Sequence, residues 1–187
     1  MERPRQQASA PSWTGRRQSG RARSVGRWIL GCGRGQRTHE LAKRGWEAVG
    51  IDNIPRAIEA ATRRRVAGAT FVVGDVTDLA KADLGTFDFF LDSGCFHHLN
   101  SEERLAAGRG VSALAHPGAT LLMLEFQATR MRSVAGAVTR ADVEAAFPDW
   151  EMLSVTSADT TGLGWPLTRT APQWYRLRRW GSSQSRV

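Results

Sequence analysis

Residues 29–52 read "ILGCGRGQRTHELAKRGWEAVGID". An apolar run leads into glycines at 31, 33 and 35, then a helix-like segment, then a second apolar run that ends on Asp52. Glycines this dense let backbone N–H groups approach a ligand, because no Cβ stands in the way. Such a turn also feeds the N-terminus of a helix, where unpaired N–H groups and the positive end of the helix dipole favour a negatively charged group. The stretch is therefore strand, glycine turn, helix, strand.

The same alternation continues outward from Val25. Trp28-Ile29-Leu30 is a short buried strand, and Arg37 to Lys43 is a helix with Thr38, Leu41 and Ala42 inward and Gly45 as its left-handed stop. His39 on that helix is expected to face solvent. Ala48 to Ile51 is the next strand. Pro55 opens a helix striped by Ala57, Ile58 and Ala61, with Arg63-Arg64-Arg65 as a solvated end. "TFVVGD" (70–75) and "TFDFFLDSG" (86–94) are strands, and a helix follows over about 101–114. Pro117-Gly118 turns the chain into the strand "TLLMLEF" (120–126). "TRADVEAAF" (139–147) is a helix opened by an N-cap. "WEMLSVTSA" (150–158) and "QWYRLRRW" (173–180) close the chain without a helix between them. The fold class is α/β: a doubly wound, mostly parallel sheet with helices on both faces and a C-terminal antiparallel hairpin.

The 187 residues suit one domain with a sizeable core. Residues 1–24 are rich in Arg, Gln, Ser, Gly and Pro and are expected to form a disordered basic arm. The domain then spans 25–180, with a flexible tail over 181–187. The net charge is +8, but residues 1–26 hold six arginines against Glu2, so the other 161 residues carry only +3. A solvated arm is the plainer reading than a nucleic-acid or acidic-lipid contact. No apolar run reaches the roughly 18–20 residues of a membrane span, and the arginine-rich start lacks the apolar core of a secretory signal. Cys32 and Cys95 are the two cysteines, and reduced thiols in a cytoplasmic protein are expected.

Three ligands suit a glycine turn of this kind: a nucleoside triphosphate, a dinucleotide pyrophosphate, and the amino-acid end of S-adenosylmethionine. A triphosphate loop needs Lys-Ser/Thr after its last glycine, whereas Gln36-Arg37 follow Gly35. A dinucleotide turn needs a small residue at 36, where Gln36 stands. Asp52, 21 residues after Gly31 and at a strand end, is placed to accept both hydroxyls of a ribose. Asp75 ends the third strand and suits the adenine amino group, with the Val76 N–H for a ring nitrogen. A ribose and a small anionic group without a pyrophosphate describe S-adenosylmethionine.

Over about residues 25–180 the sequence resembles the class I S-adenosylmethionine-dependent methyltransferases. Gly31-Cys32-Gly33-Arg34-Gly35, Gly50-Ile51-Asp52 and Gly74-Asp75-Val76 are similar to their first three motifs. The resemblance implies a seven-stranded sheet with one antiparallel strand. The stretch "FDFFLDSGCFHHL" (87–99) with "HPGATLLMLEF" is similar to the small-molecule branch, which includes thiopurine- and tellurite-type enzymes. In that branch the turn Asp92-Ser93-Gly94 runs past the methionine part of the cofactor, and the residues beyond it face the acceptor. The implied cofactor-binding set is Gly31, Cys32, Gly33, Gly35, Asp52, Asn53, Asp75, Val76, Asp92 and Ser93. The family's usual acid two places before the first glycine is Ile29 here, and its usual N-terminal helix has no counterpart in residues 1–24.

Methyl transfer from a sulfonium needs the acceptor held in line and water kept out. A base helps where the acceptor must lose a proton, and His97 and His98 are the candidates; capping and packing are their plainer roles. Cys95 beside them suggests no metal site, because no second cluster adds ligands. Cys32 suits a small buried turn residue, Glu125 either an acceptor-pocket wall or a partner of a backbone amide, and Trp165 a pocket wall or packing. The expected activity is methyl transfer to a small molecule by a monomer or homodimer. The alternatives are a non-catalytic binding domain, given Ile29, and a nicotinamide-dependent oxidoreductase. The latter is disfavoured because Tyr175 has Arg179, not Lys, four residues on.

Overall fold

The computed structural model describes residues 26–81, 85–127, 137–159 and 171–181. The expected arm over 1–24, Trp165 with its loop, and all of the tail after Gly181 lie outside the described residues. Among the described residues seven strands form one sheet: β1 (Arg27–Leu30), β2 (Ala48–Asp52), β3 (Ala69–Val73), β4 (Phe87–Ser93), β5 (Ala115–Gln127), β6 (Trp150–Ser157) and β7 (Ala171–Arg179). Their order is β3-β2-β1-β4-β5-β7-β6. The first five run parallel, and β7 lies antiparallel between β5 and β6. Strand order reverses between β1 and β4, and that reversal opens a crevice at the carboxyl ends where the glycine turn leaves β1.

Local chemistry fixes each helix end. Gly35 precedes α1 (Gln36–Lys43) with φ 75°, and Gly45 (φ 85°) stops it while its N–H bonds to Ala42 O. Pro55 opens α2 (Pro55–Thr62). Asn100 with Glu103 and Thr139 with Asp142 form reciprocal capping boxes at α3 (Ser101–Leu114) and α4 (Arg140–Ala146). The expected turn at Pro117-Gly118 is an irregularity inside a longer strand: Phe87 pairs with Ala115, but Phe89 pairs with Thr120. Two 3-10 segments, Val76–Lys81 and Phe96–His98, are too short to leave a periodic signal in the sequence.

The pleat of β1 divides the core. Trp28 and Leu30 join the large cluster around Phe90, Leu121, Met123, Val111 and Phe147, while Ile29 packs with Ala48 and Leu91 on the opposite face. Burying a side chain of this size contributes roughly 1.5–3 kcal/mol. Tyr175 is fully buried beside Leu177 in the large cluster.

The expectation for His39 fails as well. His39 is buried at 3% exposure, with Nε2 3.1 Å from Ala61 O and its ring 4.9 Å from Phe71. Helix α1 is covered on two sides, by β1–β3 and by the end of α2, so Thr38, His39 and Ala42 all turn inward. A carbonyl only accepts, so Nε2 carries the proton. Burial holds the ring below its ordinary pKa and keeps it neutral.

Candidate functional site

The glycine turn is held by its own second-strand acid. Asp52 ends β2 at 9% exposure; its Oδ2 accepts from Gly33 N–H at 2.8 Å and its Oδ1 from Ile54 N–H at 3.0 Å. Each oxygen keeps a further lone pair for a ligand hydroxyl. The three glycines differ in what surrounds them. A Cβ at Gly31 would lie 2.7 Å from Cys95 Cβ, and one at Gly35 would lie 2.5 Å from the Phe71 ring. A Cβ at Gly33 (φ 52°) would meet nothing within 4 Å. The turn is thus packed at both ends and open in the middle; Gly31 lines the cleft beside it, and the expected Gly33 does not.

Beside it lies a cleft of about 480 Å³, lined in part by Gly31, Asp52, Asn53, Ile54, Asp75 and Val76. That volume is ordinary for a site taking a nucleoside-sized ligand. The Asp75 Oδ1 accepts from both the backbone N–H and the hydroxyl of Thr77, at 2.8 and 2.7 Å, which fixes the turn after β3. Gly94, Cys95, His98, Leu99 and Glu103 form the other wall.

The structure brings together Gly31, Asp52, Asn53, Asp75, Val76 and His98 on this cleft. Other expected residues stand behind it. Cys32 turns away, against Gly50 and α1, and burial pushes its thiol up to about 12. Asp92 is 2% exposed; its oxygens accept from Cys95 N–H (2.8 Å) and Phe96 N–H (3.2 Å), so it shapes the turn after β4 from beneath. Ser93 is half-buried and off the cleft lining. Gly35 caps α1. Glu125 is fully buried and does not line the cleft; its Oε2 accepts from the His97 backbone N–H at 3.2 Å and faces His97 Nδ1 at 3.0 Å. Ile54, Thr77, Leu99 and Glu103 were missed in the sequence. An exposed isoleucine directly after "DN" was the one available signal, while Glu103 was legible only as part of a helix cap.

His97 sits immediately behind the cleft wall. Its ring lies tilted against His98 with centroids 4.1 Å apart, is edge-on to Phe126, and would be 3.1 Å from a Cβ on Gly94. Burial lowers its pKa, partly offset by Asp92, while Arg104 lowers it further. Burial and the surrounding carboxylates push the Cys95 thiol up, which disfavours its thiolate.

Residues 29–118 match the family model described as a methyltransferase domain. A curated relative, the 2-heptyl-1-hydroxyquinolin-4(1H)-one methyltransferase of Mycobacteroides abscessus, is 35% identical over 100 residues. That match covers 51% of this chain and 44% of the relative, so the chain spans less than half the relative's length. A SAM-dependent methyltransferase from Methanosarcina mazei superposes with TM-score 0.70 at 16% identity, covering 86% of this chain and 95% of that one. The N-methyltransferase NodS from Bradyrhizobium japonicum, solved with S-adenosyl-L-homocysteine, gives 0.67 at 17%, covering 83% and 78%. Sequence and fold agree in kind: residues 29–118 are similar to a methyltransferase domain, and the fold is that of solved S-adenosylmethionine-dependent methyltransferases. The seven-stranded sheet has a mostly parallel order with the antiparallel strand next to last in space.

Proposed function

We propose that this protein transfers a methyl group from S-adenosylmethionine to a small-molecule acceptor. The observation that carries the reading is the arrangement of an open glycine turn, the Asp52 carboxylate and the Asp75-Val76 turn along one cleft at the switch point of the sheet. The cofactor supplies a methyl on a positively charged sulfur, already activated for displacement.

The chain's own residues then have separate tasks. The turn at Gly31 and the N-terminus of α1 face the carboxylate of the methionine part, while the Gly33 N–H is held by Asp52. Asp52 and Asn53 take the ribose hydroxyls, while Asp75 and the Val76 N–H read the adenine edge. Asp92 acts from below by holding the Cys95 and Phe96 amides, and Ser93 continues that turn. His98 is on the acceptor side, with His97 behind it. Ile29 brings no acid to the methionine amino group, and its burial against Ala48 and Leu91 explains why an apolar residue suits the position.

A small acceptor is supported by the likeness to a quinolone methyltransferase and by the small-molecule pattern of residues 87–99. Cytoplasmic residence belongs to the same reading, on the strength of two free, half-buried cysteines. No helix among the described residues is long and apolar enough to cross a membrane.

The test is incubation with S-adenosylmethionine and 2-heptyl-1-hydroxyquinolin-4(1H)-one, followed by mass spectrometry. Addition of one methyl supports the reading. Binding of S-adenosylhomocysteine with no transfer to any of a panel of hydroxylated heterocycles would mark a non-catalytic domain.

A further inference from the structure

The cleft wall away from Asp52 and Asp75 carries one carboxylate that the cofactor reading does not use. Glu103, in the first turn of α3, is half-buried and lines the cleft beside His98 and Leu99. Its Oε2 accepts from Asn100 N–H at 2.8 Å, while Asn100 Oδ1 accepts from Glu103 N–H at 3.0 Å. This reciprocal cap holds the side chain in one orientation. Among the described residues its Oε1 makes no hydrogen bond and the carboxylate has no cationic partner.

The neighbouring cation is committed elsewhere. Arg104 donates through Nε to Phe96 O and through one Nη to Ala137 O, while its other Nη lies 3.5 Å from Asp142. None of the described residues that line the cleft is Lys or Arg. Glu102 and Glu103 already match the positive end of α3 with negative charge. An anionic group brought to this wall therefore meets a like charge that nothing offsets. A donor fares differently. Hydrogen bonds to an ionised acceptor are roughly twice as strong as neutral ones, and a side chain held in advance loses little freedom on binding. Leu99 and the exposed ring of His98 add apolar and planar surface beside the carboxylate.

We propose that Glu103 is the specificity-determining residue of the acceptor side, its Oε1 receiving an N–H of a flat nitrogenous base, most strongly a protonated one. The inference rests on the methyltransferase reading and deepens it by naming the acceptor's chemical class. Glu103 grips the acceptor by a group other than the atom that takes the methyl, so it selects and orients without entering the bond-making step. Molecules that present a carboxylate or phosphate at this wall are refused by repulsion.

Benzamidinium and benzoate are the probes, two flat ions of similar shape and opposite charge. Each is titrated into the full chain labelled with 13C at glutamate, with the Glu103 carboxyl signal assigned by its loss in E103Q. In wild type, benzamidinium moves that signal to saturation and benzoate does not. In E103Q the amide oxygen keeps the bond from Asn100 N–H, which sets the amide NH2 where Oε1 stood. The Tm of E103Q stays within about 2 °C of wild type, benzamidinium binds about tenfold or more weakly, and benzoate binds better. E102Q, at an exposed position off the cleft lining, leaves both titrations unchanged and so separates the cleft from a general attraction of cations to an acidic helix end. No saturable shift at Glu103, equal binding of the two ions by wild type, or equal losses in E102Q and E103Q would overturn the proposal.

S-adenosylhomocysteine is titrated separately, and E103Q is expected to bind it within about twofold of wild type. A larger loss would assign Glu103 to the cofactor and overturn its role toward the acceptor. A chain that takes benzamidinium at Glu103 but binds no S-adenosylhomocysteine keeps the cation site and loses the methyltransferase reading. The opposite pair of results keeps that reading and removes the proposal.

Discussion

Gly33 and Gly35 are two residues apart in one turn, both with positive φ, yet the structure assigns them different duties. An alanine at either position must adopt the left-handed conformation, which costs about 1–2 kcal/mol. At Gly33 that is the whole cost, because a Cβ there meets nothing within 4 Å. At Gly35 the new methyl would lie 2.5 and 2.6 Å from the Phe71 ring and 2.8 Å from Ala61 Cβ, so β3 and α2 must move. Overpacking adds about 1–3 kcal/mol. The sums are about 1–2 kcal/mol for G33A and about 2–5 kcal/mol for G35A, or falls in Tm of about 2–8 °C and about 4–20 °C at 2–4 °C per kcal/mol. Thermal denaturation followed by circular dichroism measures both. S-adenosylhomocysteine titration of the folded proteins supplies the second axis. G33A, with its methyl on the open side of the turn, weakens binding about tenfold or more, equivalent to about 1.4 kcal/mol. Equal destabilisation by the two substitutions would refute the packing argument. Unaltered affinity in G33A would refute the assignment of the turn's open middle to the ligand.

Other consequences can be checked with the same protein. I29D restores the acid usual in the family but sets it against Ala48 and Leu91; an uncompensated buried charge costs about 3–5 kcal/mol. Urea denaturation should show that loss, and S-adenosylhomocysteine, which brings an ammonium group, should raise the Tm of I29D more than that of wild type. Both cysteines should react slowly with iodoacetamide until the protein is denatured, since burial holds Cys32 at about 12 and Cys95 higher; rapid native-state labelling of either would contradict this. The stability of wild type relative to E125Q should fall as pH rises. Folding raises Glu125 to about 7, against about 4.3 in an unfolded chain, so the folded protein binds more protons between those values. That contribution is full below the unfolded value and is lost as pH rises through about 7. His39 and His97, both lowered, act in the opposite direction in each protein and remove stability as pH falls below about 6.5. Urea midpoints at about pH 5 and about pH 8 decide the comparison.

Much of the fold was legible because its signals are local. Apolar runs such as "TLLMLEF" are long enough to be strands only, and Thr139 with Asp142, Pro55 and Gly45 mark helix ends through chemistry confined to a few neighbours. His39 was misread for the opposite reason. Its burial depends on α2 and β3 closing over α1, which no property of residues 36–43 reveals. Asp52 could be placed at a strand end from spacing alone, whereas Asp75, expected to end β3, lies in the turn two residues beyond Val73. The meeting of His97 with Glu125 could not, because it requires the turn after β4 to lie against the end of β5, where a bulge shifts the pairing between Phe87 and Phe89. Asp92 was therefore expected along the ligand, whereas it lies beneath the turn that the ligand would touch.

Asp52 and the turn it braces carry the assignment of the cleft to S-adenosylmethionine. Calorimetric titration of S-adenosylhomocysteine into wild type and D52A tests that assignment, with circular dichroism to establish that both proteins are folded. Micromolar binding by wild type is expected, and its loss in D52A, which removes both the ribose acceptor and the brace on Gly33 and Ile54. A folded wild type that binds nothing, or a D52A protein that binds equally well, would contradict it.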